Sequence, residues 1–185
     1  MNILKKNIKI ARHLILWTMT LMFYTSNSYS QTKWFKSGSD WDKYSMGIDS
    51  SFRHDNKEVM TIKSIDGEIT GFGTFMSNFA PDKYIGKRIK MSGFVKSKEV
   101  TTSAALWLRV DQNGSDEVLS FDNMYDRPIE GTTDWKKYEI VLDVPNNASN
   151  IAFGAMLFGT GQIWFDKLVF EIVDITVKTT GTQNK

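Results

Sequence analysis

The sequence predicts an all-β protein, an antiparallel β-sandwich of the jelly-roll type. Several segments alternate between apolar and polar residues with a period of two, as half-buried strands do. Turn-forming residues separate these segments at short intervals, and no segment shows a sustained helical period of 3.6 residues. Eight or more short strands at such spacing are typical of an antiparallel sandwich.

Residues 1–30 have the regions of a secretory signal peptide. The segment Leu14–Phe23 is mostly apolar, and the small residues Ser28 and Ser30 precede an expected cleavage before Gln31. The apolar run is shorter than the roughly 20 residues of a membrane span, although an uncleaved anchor is an alternative. We expect export to a bacterial periplasm or the extracellular space, without stable membrane insertion after cleavage. The positive charge that precedes the apolar run comes from Lys5, Lys6, Lys9 and Arg12.

Composition excludes several kinds of chemistry. The chain has no cysteine, which excludes thiol catalysis, Cys-ligated zinc and iron–sulfur clusters. It has 23 basic and 21 acidic residues, and four of the basic residues but none of the acidic ones lie in residues 1–30. The remainder is therefore slightly acidic, and nucleic acid is not expected as a partner.

One domain is predicted over residues 31–177, and the polar tail 178–185 is expected to be disordered. Alternation is clearest in three segments, Ile89–Val95, Ala104–Asp111 and Tyr138–Val144. Further strands are predicted at 58–65, 71–79, 117–124, 151–158 and 162–173, of which the last two are the most apolar and are expected to be central.

Turn residues separate the predicted strands. Asp66-Gly67 and Asn113-Gly114 are typical of tight turns, and the second is expected to close a hairpin. Longer loops are predicted at Pro81-Asp82, Gly131, Pro145–Asn147 and Gly159–Gly161.

Five segments resemble a β-sandwich module found in bacterial proteins, including AraC-type transcriptional regulators and esterase-like enzymes. They are GFGTFMSNF (71–79), YIGKRIKMSGFVKS (84–97), AALWLRVD (104–111), FDNMYDRPIEGTTDWKKYEIVLDVP (121–145) and IAFGAMLFGTGQIWFDKLVFEIV (151–173). The motifs Trp135-x-x-Tyr138 and Trp164-x-Asp166 are similar to those of galactose-binding-like jelly rolls and carbohydrate-binding modules. The resemblance implies a non-catalytic module that binds a carbohydrate or another small polar ligand, and the signal-peptide regions imply that it is exported.

Trp107 and Arg109 are candidate ligand-binding residues. They lie on the strand face opposite Leu106 and Leu108, where a Trp ring could stack on a sugar and an Arg could bind its hydroxyls. The alternative is that Trp107 packs under the N-terminal segment that contains Trp34 and Trp41.

The polar segment 121–128 is a second candidate. Asp122, Asn123, Asp126 and Arg127 could hydrogen-bond a sugar or another polar ligand. Alternatively, Asp122 or Asp126 pairs with Arg127 or Arg109 and fixes the loop.

Asp166 is a candidate ligand of a structural Ca²⁺. It falls on an otherwise apolar face of the last strand, shared with residues such as Trp164 and Leu168, where an unpaired carboxylate would be costly. Similar jelly rolls carry such an ion, and the other ligands could come from Asp40, Asp42 or Asp49. The alternative is that Asp166 accepts hydrogen bonds from backbone N–H groups and an Arg.

Nothing in the sequence predicts an enzyme. His54 is the one histidine after the predicted leader, and its polar surroundings, Phe52–Glu58, predict a solvated loop without a Ser-His-Asp set. Paired carboxylates of a glycoside hydrolase are a less favoured alternative. A structural or protein-interaction domain of the cell envelope is the main alternative to a binding module.

Overall fold

The computed structural model describes residues 33–65, 67–112 and 118–183. The predicted signal peptide and the Asn113-Gly114 turn lie outside the described residues, as does Asp66 of the other tight turn. Within the described part of the chain, no helix is both long enough and apolar enough to cross a membrane.

The described residues form ten strands and two short 3₁₀ turns, Trp41–Lys43 and Asp82–Tyr84. All strand pairs are antiparallel. The strands are β1 (Phe35–Ser37), β2 (Tyr44–His54), β3 (Lys57–Ser64), β4 (Phe72–Phe79), β5 (Lys87–Gln112), β6 (Val118–Asp122), β7 (Ile129–Val144), β8 (Ala148–Phe158), β9 (Gln162–Val173) and β10 (Thr182–Gln183).

Strand β5 belongs to both layers of a sandwich. Its first half lies between β7 and β9, and its second half lies between β8 and β6. One layer therefore has the order β2-β3-β9-β5-β7, and the other has the order β1-β4-β8-β5-β6-β10. The antiparallel sandwich predicted from the sequence is confirmed.

The core lies between the two layers. The predicted inward face of β5 is confirmed, since Leu106, Leu108 and Val110 are fully buried. Aromatic rings join the layers: Phe153 of β8 lies edge-on to Phe170 of β9, with ring centroids 4.9 Å apart. This core fixes which side chains of each layer face outward.

Two backbone segments differ from the prediction. Residues 96–103 lie between two separately predicted strands, but β5 continues through them as one strand of 26 residues. Strand β2 was not predicted, because much of its second half is exposed and polar and gives little alternation.

The prediction of a disordered tail over 178–185 is wrong as far as Gln183, the last described residue. The backbone N–H of Thr180 donates to the carbonyl of Val141 at 2.9 Å. Thr182 and Gln183 then pair with Phe121 and Ser120 of β6. Composition did not predict this strand, because its backbone hydrogen bonds do not depend on apolar side chains.

A β-bulge at Lys167 changes which residues of β9 face the core. Lys167 has a φ of 52°, and the register between β5 and β9 shifts at this point. Leu168 and Phe170 consequently pack against the core, whereas Asp166 and Trp164 lie on the outer face. The predicted apolar face shared by Asp166 and Leu168 is therefore wrong.

Candidate functional site

A groove of about 550 Å³ crosses the outer face of the layer that contains β4, β8 and β5. Residues of these strands that alternate with core residues form its floor, while β1 and β6 contribute its two sides. The apolar lining includes Phe72, Met76, Trp107 and Met156. Its volume lies within the roughly 300–1,000 Å³ range of small-molecule sites.

Trp107 lies in the floor of this groove. Its indole Nε1 donates to Thr74 Oγ1 at 2.8 Å, and that hydroxyl donates to the carbonyl of Ala155, also at 2.8 Å. The ring therefore reaches from β5 across β8 to β4, beside Gly154, which pairs with Trp107 and has no side chain. These contacts fix the orientation of the indole.

The structure places Trp107 on the predicted face but does not expose it as a free platform, since only 4% of the residue is accessible. Neither Trp34 nor Trp41 covers it. Trp34 packs with Phe75, Phe153 and Phe165, and Trp41 is 49% exposed. Trp107 therefore presents a small surface to the groove from a rigid position.

Arg109 lines the same groove and is paired with Asp111. Its Nε lies 2.8 Å from Asp111 Oδ1, and Nη2 donates to Oδ2 at 3.3 Å. Asn150 also donates to Oδ2, at 2.9 Å. Asp111 compensates the charge of the guanidinium, whose side chain is 42% exposed, and Nη1 has no hydrogen-bond partner within the described part of the protein.

Residues 122–127 contain an ion-pair cluster, and the four predicted binding residues of this segment are not among those that line the groove. Asp122 is buried and accepts hydrogen bonds from the Met124 N–H and from Arg127 Nη2, each at 2.7 Å. Asp126 accepts from Arg127 Nη1 at 2.8 Å. These contacts fit the alternative in which the carboxylates fix the loop, and the binding role of Asp122, Asn123, Asp126 and Arg127 stays a prediction.

His54 is the partner of Asp166, and the prediction that it is a solvated loop residue is wrong. His54 Nδ1 lies 2.9 and 3.0 Å from the two carboxylate oxygens. Because a carboxylate only accepts, Nδ1 carries the donated proton. The imidazole also stacks on Trp135, with ring centroids 4.1 Å apart and planes at 11°.

Contacts around His54 hold the end of the β2–β3 hairpin against the outer face of β9, in the layer that does not carry the groove. Phe52 stacks on Trp164 of β9 at 4.7 Å, and Asp55 at the hairpin turn pairs with Lys167. The alternation of Phe52 and His54 was the one sequence signal for this arrangement, and the polar residues around them obscured it.

Two of the three carboxylates expected to join Asp166 in a calcium site, Asp49 and Asp40, have other hydrogen-bond partners. Asp49 accepts from Trp164 Nε1 at 2.9 Å, and Asp40 accepts from the Gly71 N–H at 2.8 Å. Hydrogen bonds from Ser51 and then from Trp164 hold the pKa of Asp49 below its usual value. Among the described residues, no group of three or more His, Asp or Glu side chains is placed to hold a metal. The structural Ca²⁺ at Asp166 stays a prediction.

No protein-family profile matches the chain. A curated relative, the "Uncharacterized HTH-type transcriptional regulator YbfP" of Bacillus subtilis (strain 168), is 46% identical over 160 residues. The match covers 84% of this chain and 54% of the relative. The chain thus spans about half the length of this relative.

Solved structures with a similar fold include several carbohydrate-binding modules. The CBM22-1 xylan-binding domain of Paenibacillus barcinonensis Xyn10C superposes with a TM-score of 0.51 at 12% identity, covering 77% of this chain and 87% of that one. The CBM22-1-GH10 modules of Clostridium thermocellum Xyn10B, complexed with xylohexaose, give 0.53 at 17% identity, covering 75% of this chain and 26% of that one.

A third similar structure is the enzymatically active domain of tailspike protein 4 of bacteriophage CBA120. It gives a TM-score of 0.58 at 13% identity, covering 76% of this chain and 19% of that one. At such identities the likeness shows the fold alone. The chain has the jelly-roll β-sandwich fold of these carbohydrate-binding modules.

Proposed function

We propose that this protein is an exported, non-catalytic module that binds a neutral glycan chain in the groove floored by Trp107. The observation that carries the proposal is the groove itself, an open apolar channel on a sheet face with a donor-rich arginine at its side. Residues 1–30 support the export part of the proposal through their signal-peptide regions.

The chemistry of the lining suits a sugar. One face of a pyranose ring presents C–H groups, which pack on apolar and aromatic surface, while its hydroxyls need hydrogen-bond partners. Met76, Met156 and the accessible part of Trp107 supply the apolar surface, and Arg109 and Asn150 supply donors. Because the Trp107 ring is fixed by Thr74, little side-chain entropy is lost on binding.

The charge of the groove favours a neutral ligand. Arg109 is the charged residue of the lining, and its charge is compensated by Asp111. No Asp or Glu is among the described residues that line the groove, whereas glycoside hydrolysis uses two carboxylates that flank the scissile bond. The compensated charge supports a neutral ligand, and the lining without Asp or Glu among the described residues supports binding without catalysis.

The names of the similar proteins suggest the first probes. Two of the structural neighbours are described as xylan-binding or as complexed with xylohexaose, so xylan-derived oligosaccharides come first. DNA binding is not carried over from the regulator relative, because the described residues contain strands and two 3₁₀ turns but no helix that could enter a DNA groove.

The proposal is tested by calorimetric titration of the purified protein with xylohexaose, cellohexaose and a panel of other neutral glycans. Arg109→Ala removes donors from the groove and is expected to weaken binding about tenfold, the equivalent of one charge-assisted hydrogen bond. Arg53→Ala is the matched control, since Arg53 is an exposed arginine on strand β2 of the other layer. Failure of the whole panel to bind, or equal affinities of both variants, contradicts the proposal and favours a protein-interaction domain.

A further inference from the structure

A second cavity, of about 290 Å³, continues the groove beyond Arg109. It is lined by Arg109, Val118, Ser120, Phe121 and Thr182. Arg109 and Phe121 line both cavities, so they form the boundary between them. The two cavities therefore follow one another across the same sheet face.

The far side of the second cavity is built by the C-terminal strand β10. Thr182 pairs with Phe121 of β6, so the two side chains lie on the same face of the sheet. The preceding Thr180 anchors this strand, because its N–H donates to the Val141 carbonyl at 2.9 Å. The segment expected to be disordered thus becomes a wall of a cavity.

The second cavity offers few polar groups. Ser120 Oγ donates to the Asp143 carbonyl at 2.8 Å, so its proton is already used. Thr182 Oγ1 donates to the Phe121 carbonyl at 3.4 Å and keeps its lone pairs as acceptors. The guanidinium of Arg109 is therefore the donor of this cavity, beside the apolar surface of Phe121 and Val118. Like the first groove, this cavity therefore places apolar surface beside a small number of hydrogen-bonding groups.

We propose that this cavity is a second subsite, so that the glycan runs from the Trp107 floor past Arg109 and ends against β10. The inference rests on the proposed function and deepens it: the ligand is a chain longer than the first groove, and Arg109 binds the sugar unit at the boundary. Asp111 compensates the charge of the Arg109 guanidinium, and Nη1 is left to donate to neutral sugar hydroxyls in either cavity.

The test compares a short and a long oligosaccharide of the same backbone. Wild-type protein, Thr182→Trp and the control Thr182→Ser are titrated with xylotriose and xylohexaose, and with cellotriose and cellohexaose. The Trp variant fills the second cavity at an exposed edge strand, where the fold tolerates an aromatic residue. Its folding is verified by an unchanged urea midpoint.

We expect Thr182→Trp to weaken hexasaccharide binding about tenfold and to leave trisaccharide binding unchanged, whereas Thr182→Ser changes neither. A change confined to the hexasaccharide, in either direction, supports the subsite. Equal effects on both lengths, or no effect on either, overturn it while the proposed function stands. If neither hexasaccharide binds the wild-type protein, the subsite proposal fails, whereas the proposed function fails only if the whole glycan panel does not bind.

Discussion

Replacement of His54 by Ala is expected to destabilise the protein by about 3 kcal/mol. The carboxylate of Asp166 would lose its partner, and a hydrogen bond to a charged group contributes about 1.5–3 kcal/mol. The side chains of His54 and Asp166 are only 13% and 10% exposed, so water replaces the lost bond poorly. Loss of the stacking on Trp135 adds about 0.5–1.5 kcal/mol.

A double-mutant cycle separates the pair from the packing. Asp166→Ala alone leaves the His54 Nδ1–H without its acceptor, but the double variant removes both partners, so it should cost less than the sum of the single changes. We expect a coupling energy of about 2 kcal/mol.

Urea denaturation measures each stability as a midpoint shift at constant slope. Arg53→Ala, adjacent to His54 but exposed, is expected to change stability by less than about 0.5 kcal/mol. If the effects of His54→Ala and Asp166→Ala simply add, within about 0.5 kcal/mol, the two side chains are not coupled and the reasoning is refuted.

Two further predictions concern the groove and acid stability. A Cβ at position 154 would collide with the backbone of Phe75, so Gly154→Ala should lower the free energy of unfolding by about 1–3 kcal/mol. The melting temperature should therefore fall, and an unchanged melting temperature would contradict the close approach of the two strands. The pKa of Asp49 is lowered in the fold, so its contribution is complete above the unfolded pKa of about 3.9 and is lost as pH falls through the lower folded pKa. As the pH falls from 6 to 2, the urea midpoint should therefore decrease less steeply for Asp49→Asn than for wild type. Parallel pH profiles of the two proteins would show that ionised Asp49 does not contribute to stability.

The parts of the fold that the sequence predicted depend on local alternation. Leu106 and Leu108 face the core and Trp107 and Arg109 face outward, as the period of two predicts, because adjacent side chains of a strand point to opposite faces. Burial of one sheet face imposes this pattern within a few residues, so a single strand displays it. The sandwich and the face that carries the groove were therefore predictable.

The pairing of residues far apart in the chain was not predictable in this way. His54 and Asp166 are 112 residues apart, and they meet because the β2–β3 hairpin folds over β9. The bulge at Lys167 reverses the alternation that a regular strand would continue, and only the register with β5 shows it. One extra residue in a strand moves every later side chain to the other face.

The sequence by itself therefore determined the antiparallel sandwich class, the inward face of β5 and the strand face that carries Trp107 and Arg109. The tertiary structure alone decided that Trp107 is held by Thr74, that Asp166 pairs with His54, and that the polar tail becomes β10. The reason is physical: burial leaves its mark on neighbouring residues of one strand, whereas hydrogen bonds between strands depend on a register that no single strand contains.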